Sequence, residues 1–97
     1  MVSTSRPIPR DNILKQEAAG TVVLLALDDG RYYSLEDSGG RAWDLCDGQR
    51  SISDIAAMLA DEYDAAQAEI ERDLIELFRE LANEKLVAEN PRPIEGS

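Results

Sequence analysis

The stretch Asp28-Asp29-Gly30-Arg31-Tyr32-Tyr33-Ser34-Leu35 decides the fold of this chain, because it holds a turn between two strand-forming runs. Asp29-Gly30 predicts a two-residue type I′ turn, in which both central residues have a positive φ. Residues 21–27 form an apolar run before the turn, and residues 31–35 form a short aromatic run after it. The two runs predict an antiparallel hairpin. Because the chain then leaves directly for a helix, the second strand is expected at a sheet edge.

The segments on either side of the hairpin complete the predicted fold. Residues 12–17 are predicted as a first strand and residues 86–88 as a short last one. Between the hairpin and the last strand, apolar spacing predicts three helices. The fold class is therefore α+β, a winged helix-turn-helix in which an antiparallel sheet of three (or two) strands precedes three helices. Residues 1–11 are expected to be a flexible arm, residues 12–88 the domain, and residues 89–97 a flexible tail.

Capping residues place the starts of the three helices. The first is predicted to begin at Asp37 or Ser38 and to pack Trp43 against the sheet. Ser51-Ile52-Ser53-Asp54 fits the capping-box pattern at the start of the second helix. Asp64 is a plausible cap for the third.

The third helix is predicted to be apolar over more of its circumference than a small core requires. Ile70, Leu74, Leu77 and Leu81 form its core stripe, as judged from their helical spacing. Further apolar residues widen the arc on one side only, and they are Ile75, Phe78 and Ala82. This flank is either additional core or one wall of a groove.

The charge of the chain argues against nucleic acid as a partner. The formal net charge is −10, and acidic residues outnumber basic ones along the third helix. A recognition helix of that composition would repel phosphate. The charge also argues against anionic membrane surfaces, and no apolar stretch approaches the roughly 20 residues of a membrane span. We predict a cytoplasmic protein that binds neither nucleic acid nor membrane.

The composition also disfavours catalysis. The chain has no histidine, which is the commonest general base and a frequent metal ligand. Its single cysteine, Cys46, lies on the apolar face of a predicted helix, where a buried thiol is the simpler interpretation. The sequence therefore predicts no catalytic residue, no metal site and no cofactor.

Tyr32 and Tyr33 have two possible roles. Both side chains pack on the sheet, or the one that points outward is an anchor for a bound peptide.

The order and spacing of several short segments resemble the PqqD-like family. They are Gly30-Arg31-Tyr32-Tyr33-Ser34-Leu35, the segment from Gly40 to Gly48 around Trp43, Ile52-Ser53-Asp54-Ile55, the segment from Leu59 to Tyr63, Ile70 through Asp73-Leu74 to Leu81, and Leu86-Val87. Members of this family are recognition elements for ribosomally synthesised, modified peptides. The resemblance implies a winged helix-turn-helix in which the leader peptide adds as a strand beside the wing and packs on the third helix.

Within the family, the chain is most similar to the free-standing leader-binding protein of lasso peptide biosynthesis. The resemblance implies that it catalyses nothing and presents the precursor to a separate transglutaminase-like leader peptidase and then to a cyclase. A PqqD-type peptide chaperone in quinone cofactor biosynthesis and a winged-helix DNA-binding regulator are the alternatives.

The candidate peptide-binding residues lie on the second hairpin strand and on the third helix. They are Arg31, Tyr32, Tyr33, Ser34, Leu35, Glu71, Asp73, Leu74, Ile75, Phe78 and Ala82. Glu71 and Asp73 would suit a leader that carries Lys or Arg. Strand geometry divides the hairpin residues into two alternating sets, and the sequence leaves open which set turns its backbone outward.

Overall fold

The computed structural model describes residues 1–36 and 38–90. Its elements in chain order are β1 (Pro7–Pro9), β2 (Ile13–Ala18), β3 (Thr21–Ala26), β4 (Tyr32–Glu36), α1 (Ser38–Leu45), α2 (Ile52–Tyr63), α3 (Gln67–Asn83) and β5 (Val87–Glu89). The middle strands form an antiparallel sheet in the order β2-β3-β4, and β1 pairs with β5 in a second sheet. The predicted three-stranded sheet followed by three helices is confirmed. The predicted cap at Asp37 lies outside the described residues, as do residues 91–97 of the predicted tail.

The core lies between the inner face of the three-stranded sheet and the helices. Along β3, residues alternate between buried and half-buried, so Val22 and Leu24 point into the core. Trp43 of α1 is buried in the same cluster, as its predicted packing against the sheet requires. Each fully buried aliphatic or aromatic side chain contributes about 1.5–3 kcal/mol to the free energy of unfolding. The other face of the sheet is left to solvent.

The turn between β3 and β4 is wider than the sequence predicted. Gly30 has a φ of 73°, but Asp29 is not among the residues with positive φ, so the two-residue type I′ turn is wrong. The Asp29 carboxylate instead accepts the backbone N–H of Arg31 at 3.1 Å. This bond stabilises a loop whose four residues, 27–30, lie between the hydrogen-bonded pair of Ala26 and Arg31. The turn with two positive φ values is the one between β2 and β3, at Ala19 (53°) and Gly20 (82°).

The N-terminal segment differs from the predicted arm. Pro7–Pro9 pairs antiparallel with Val87–Glu89, and the carbonyl of Pro7 accepts the N–H of Gly48 at 2.9 Å. Ser5 is buried, and its carbonyl accepts the N–H of Ile52 at the start of α2. Proline tolerates such a position because an edge strand has unpaired backbone groups. The last predicted strand therefore finds its partner in this segment and not in the wing.

The capping predictions had mixed outcomes. At the start of α2, the Ser51 hydroxyl accepts the N–H of Asp54 and the Asp54 carboxylate accepts the N–H of Ser51, both at 3.0 Å, which confirms the capping box. Asp64 does not cap α3. It ends α2 in a left-handed conformation, and α3 begins after Ala66 without a side-chain cap. The intervening residues let the chain reverse before α3 starts.

The longest helix is α3, with 17 residues. Its buried residues are Leu74, Phe78 and Leu81, and most of its remaining surface is polar. Across the part of the chain that the structure describes, no helix combines the length and the apolar character that crossing a membrane would need. The cytoplasmic location stays a prediction.

Candidate functional site

The outer edge of β4 is an open strand edge. Within residues 1–36 and 38–90, β4 pairs with β3 on one side only, which confirms its predicted place at the edge of the sheet. The N–H of Ala26 donates to the carbonyl of Arg31 at 2.8 Å, so this cross-strand pair is hydrogen-bonded. Because hydrogen-bonded pairs alternate along an antiparallel ladder, Tyr33 and Leu35 turn their backbone groups toward β3. Tyr32, Ser34 and Glu36 therefore turn theirs outward. The sequence left open which of the two alternating sets of β4 residues faces outward, and the hydrogen-bond pattern answers that question.

The opposite edge of the sheet, at β2, carries a charged side chain on its inner face. Lys15 lies opposite Leu24 and extends its ammonium group to the Asp44 carboxylate of α1, with a Nζ–Oδ1 distance of 2.5 Å. The hydrogen bond to Asp44 raises the pKa of Lys15. An inward-pointing charge on an edge strand opposes pairing with another chain. Of the two edges of this sheet, β4 is thus the better acceptor of an added strand.

The side chains of β4 alternate between the two faces of the sheet. Leu35 is buried and Tyr33 is half-buried on the inner face, whereas Tyr32 and Ser34 are exposed on the outer face. The two tyrosines therefore differ in role. Tyr33 packs toward the helices, and Tyr32 remains available at the surface.

One face of α3 lies beside β4. The Tyr33 hydroxyl donates to Glu80 Oε1 at 2.5 Å, and the Arg31 guanidinium pairs with Glu84 at 2.6 Å. A Cβ at Gly39 would lie 3.7 Å from Leu77 and 3.8 Å from Leu35, so these three residues adjoin. Leu77, Glu80 and Glu84 fall within about 60° of one another around the helix. This face, which we call the β4-facing flank of α3, forms one wall of a groove next to the open edge.

The hydrogen bond to Glu80 and the partial burial of the ring affect the acidity of Tyr33. Desolvation is the larger cause and the Glu80 carboxylate the second, and together they raise the pKa of Tyr33 to about 12. The phenol therefore keeps its proton at neutral pH and donates to Glu80. It connects the edge strand to α3.

The structure places the predicted residues of α3 in three different settings. Leu74 and Phe78 are buried in the core, and Phe78 has 0% of its surface exposed, so neither can contact a peptide in this conformation. Ile75 and Ala82 pack against the core on the flank away from β4, about 150° or more around the helix from the β4-facing flank. Glu71 shares their side. In this structure the flank of Ile75 and Ala82 therefore packs against the core, and its predicted role as a groove wall stays a prediction.

Asp73 is the one predicted α3 residue on the β4-facing flank, where helical spacing places it beside Leu77 and Glu80. Helical spacing did not single out Glu80 as a site residue and placed Leu77 in the core. Nor did it indicate an open cavity of about 190 Å³ near the same groove, lined by Ser38, Tyr63, Ala65 and Ile70. The exposed Tyr63, on an otherwise buried α2 face, could have signalled this cavity.

The site is suited to binding. Its groups are backbone donors and acceptors, carboxylates and apolar side chains. Cys46 is buried away from it, and burial raises the pKa of the thiol to about 12, so the thiol stays protonated. Among residues 1–36 and 38–90, no group of three or more Cys, Asp or Glu side chains is arranged to hold a metal ion.

Comparison with known proteins identifies the class to which this fold and site belong. The family model described as coenzyme PQQ synthesis protein D (PqqD) matches residues 21–87. The chain belongs to the PqqD family, as its resemblance in sequence indicated.

Two curated relatives are PqqA binding proteins. The one from Rhodopseudomonas palustris (strain TIE-1) is 35% identical over 88 residues, which are 89% of this chain and 84% of the relative. The one from Xanthomonas axonopodis pv. citri (strain 306) is 35% identical over 83 residues, which are 86% of this chain and 90% of the relative.

Solved structures with the same fold are peptide-recognition proteins. TbiB1 in complex with the TbiA(beta) leader peptide is 31% identical to this chain and has a TM-score of 0.74. The match covers 82% of this chain and 93% of TbiB1. The PqqD truncation of Methylobacterium extorquens PqqCD is a stand-alone recognition element for ribosomally synthesised and post-translationally modified peptides. It is 28% identical to this chain with a TM-score of 0.77, and the match covers 91% of this chain and 95% of that protein. A lasso peptide synthetase B1 complexed with its leader peptide, at 24% identity and a TM-score of 0.76, covers 87% of this chain and 99% of its own, and shows the fold alone.

Proposed function

We propose that this protein binds the leader segment of a ribosomally synthesised precursor peptide and presents the precursor to separate processing enzymes. The observation that carries the proposal is the open edge of β4 beside the groove of α3. The leader adds as a strand along β4 and pairs with the outward backbone groups of Tyr32 and Ser34. In this mode of recognition the backbone supplies affinity, and pockets for alternate side chains supply specificity.

Three features beside the edge supply side-chain selectivity. The cavity lined by Ser38, Tyr63, Ala65 and Ile70 accepts an apolar side chain of the leader. Leu77, which is half-buried, forms the adjoining apolar surface. Asp73 and Glu80 give the β4-facing flank a negative charge, which favours a leader with Lys or Arg. The sequence predicted this role for Glu71 and Asp73, and we assign it to Asp73 and Glu80.

The protein acts without catalysing a reaction itself. In this proposal a transglutaminase-like peptidase removes the leader and a cyclase completes the product. The purified protein accelerates leader removal only when the peptidase is present. We place it in a lasso peptide pathway, as its resemblance in sequence implies. The likeness to TbiB1 in complex with a leader peptide supports the binding of a leader.

A second candidate is a PqqA-type peptide, because the curated relatives are PqqA binding proteins. The two candidates share one binding mode and differ in ligand. Titration of the protein with three fluorescein-labelled peptides separates them. We expect the neighbouring reading frames to encode a short precursor, and the three peptides are the leader of that precursor, the TbiA(beta) leader and PqqA. A preference for PqqA over both leaders would move the protein to the quinone cofactor pathway.

Proline substitution tests the edge itself. Ser34→Pro deletes an outward N–H, which an edge strand tolerates, and leaves a carbonyl of the leader without its donor. We expect the affinity for the neighbouring-frame leader, measured by fluorescence anisotropy, to fall roughly tenfold or more. Ser34→Ala keeps the N–H and should bind as the wild type does. Tyr33→Pro, which deletes a donor to β3, should unfold the hairpin in circular dichroism. Normal leader binding by a folded Ser34→Pro variant would refute strand addition at β4.

A further inference from the structure

A small hollow lies at the end of the sheet where β4 begins. The C-terminal end of α3, the loop between β3 and β4 and the segment between β1 and β2 surround its volume of about 80 Å³. We call it the Lys85 hollow, and its polar lining includes Arg10, Asn12, Asp28, Arg31 and Lys85. A narrow cleft beside Tyr32 shares Arg31 with it. The hollow is therefore the next surface that a peptide reaches when it passes Tyr32 along the open edge.

The direction of the added strand decides which part of the precursor lies there. All neighbouring strands in the sheet β2-β3-β4 are antiparallel. Antiparallel pairing is slightly more stable per residue than parallel pairing. A leader that continues this pattern enters beside Glu36 and leaves beside Tyr32. The residues that follow the paired segment, on its carboxyl-terminal side, therefore pass the Lys85 hollow.

The hollow differs in charge from the rest of a chain whose formal net charge is −10. Arg31 is already paired with the Asp29 and Glu84 carboxylates. The other charged groups in the lining are Arg10, Lys85 and Asp28. Within residues 1–36 and 38–90, none of these three forms an ion pair. Unpaired cations thus outnumber unpaired carboxylates in the hollow, and they favour a carboxylate from a bound peptide.

The backbone of Lys85 gives an independent reason to assign the hollow a function. Lys85 follows the end of α3 with a φ of 62°, in the left-handed region. The N–H of Leu86 donates to the Leu81 carbonyl at 2.9 Å, as in the Schellman motif that ends many helices. Glycine is the usual residue at the position of Lys85, because a side chain destabilises the left-handed conformation. Residues held in such a conformation cluster at binding sites.

We propose that the Lys85 hollow binds an Asp or Glu side chain of the precursor, on the carboxyl-terminal side of the segment that pairs with β4. This inference rests on the proposed function and adds a second recognition point of opposite charge. The β4-facing flank of α3 favours Lys or Arg in the paired segment, and Arg10 and Lys85 bind the carboxylate that follows it. Two contacts of opposite sign fix both the direction and the register of the leader.

Removal of each cation, beside a matched control, tests this proposal. Lys85→Gly removes the ammonium group and suits the positive φ, so the variant should be at least as stable as the wild type in urea titration. Arg10→Gln removes the second cation, keeps the backbone N–H that bonds to Leu86, and serves alone if Lys85→Gly fails to fold. Arg72→Gln is the control. It removes an exposed cation of α3 that lies about 80° or more around the helix from the β4-facing flank.

The probes are two fluorescein-labelled peptides. One is the neighbouring-frame leader, and in the other the Asp and Glu residues of its carboxyl-terminal half are replaced by Asn and Gln. We expect the wild type to bind the acidic leader roughly two- to fivefold more tightly than the amide version in fluorescence anisotropy at low salt. Lys85→Gly should lose most of this preference and Arg10→Gln part of it, whereas Arg72→Gln should keep it.

Several outcomes would overturn the assignment of the hollow. They are a wild type without the preference, folded Lys85→Gly and Arg10→Gln variants that keep it in full, an equal loss in Arg72→Gln, and a leader with no acidic residue in its carboxyl-terminal half. A wild type that binds neither peptide would instead refute the proposed function, so the two failures are distinguishable.

Discussion

A single hydrogen bond shows how individual side chains shape the site. The Tyr33 hydroxyl donates to Glu80 and joins the edge strand to α3, beside the ion pair of Arg31 with Glu84. Both contacts involve exposed partners, so each stabilises the fold by at most about 1 kcal/mol. Their role is positional, because they hold the β4-facing flank of α3 next to the open edge.

Cys46 gives a residue-level prediction with a clear pH dependence. Burial raises the pKa of its thiol to about 12 from an ordinary value of 9.0. Between these values the unfolded chain releases the proton and the folded protein keeps it, so the free energy of unfolding should fall as the pH rises through this window. We expect a thiol reagent such as DTNB to react at pH 8 only as fast as the protein opens. Rapid labelling of the native protein would show that the thiol is accessible.

At the residue scale, the sequence predicted those side-chain interactions whose two partners lie close together in the chain. The capping box of Ser51 and Asp54 is such a case, because both partners lie within one helical turn. The type I′ turn at Asp29-Gly30 was wrong because the Asp29 side chain captures the N–H of Arg31, an interaction that competes with the tight turn. No local signal marked Ala19, which adopts a φ of 53° despite its side chain.

At the scale of elements, the side of α3 that faces β4 determines which acidic residues can contact the leader. Glu80 and Glu71 are both carboxylates of one helix, but only Glu80 adjoins the groove. We expect Glu80→Lys to weaken binding of a basic leader several-fold, and more so at low salt, since surface charges contribute about 0.2–1 kcal/mol each. Glu71→Lys is the matched control and should bind normally. Equal loss in both variants would assign the effect to net charge alone.

Truncations on α3 separate the groove from the core. Phe78→Ala removes a fully buried ring and should lower the free energy of unfolding by about 3–5 kcal/mol in urea titration. Leu77→Ala should cost less stability, because its side chain is only partly buried, while it weakens leader binding through the lost contact beside Leu35. If the folded Phe78→Ala variant lost as much affinity for the leader as Leu77→Ala does, the assignment of Phe78 to the core and Leu77 to the groove wall would be contradicted.

The sequence could predict that α3 exists and which stripe it buries, but not which flank faces a ligand. Helical periodicity identifies Leu74 and Leu81 as core and treats both flanks alike. The choice between Ile75 on one flank and Leu77 on the other depends on where β4 lies. The position of β4 beside α3 depends on tertiary packing, namely that of α1 and the sheet.

At the scale of the whole molecule, the two edges of one small sheet have opposite properties. The β2 edge is protected by Lys15 and its bond to Asp44, whereas the β4 edge is left open beside an acidic, partly apolar groove. The arrangement directs strand addition to one side. The sequence predicted the open edge from chain order alone, but the pairing of Pro7–Pro9 with Val87–Glu89 joins the chain ends, and no local pattern signals it.

The central claim is that the leader pairs with the outward backbone of β4. Residue-resolved amide hydrogen exchange by NMR, with and without saturating leader from the neighbouring-frame precursor, tests it directly. The N–H groups of Tyr32 and Ser34 should exchange at least about tenfold more slowly in the complex, because each gains a hydrogen bond. Those of Tyr33 and Leu35, already bonded to β3, should change far less. Exchange at Tyr32 and Ser34 that stays unchanged while the leader is bound would contradict the account.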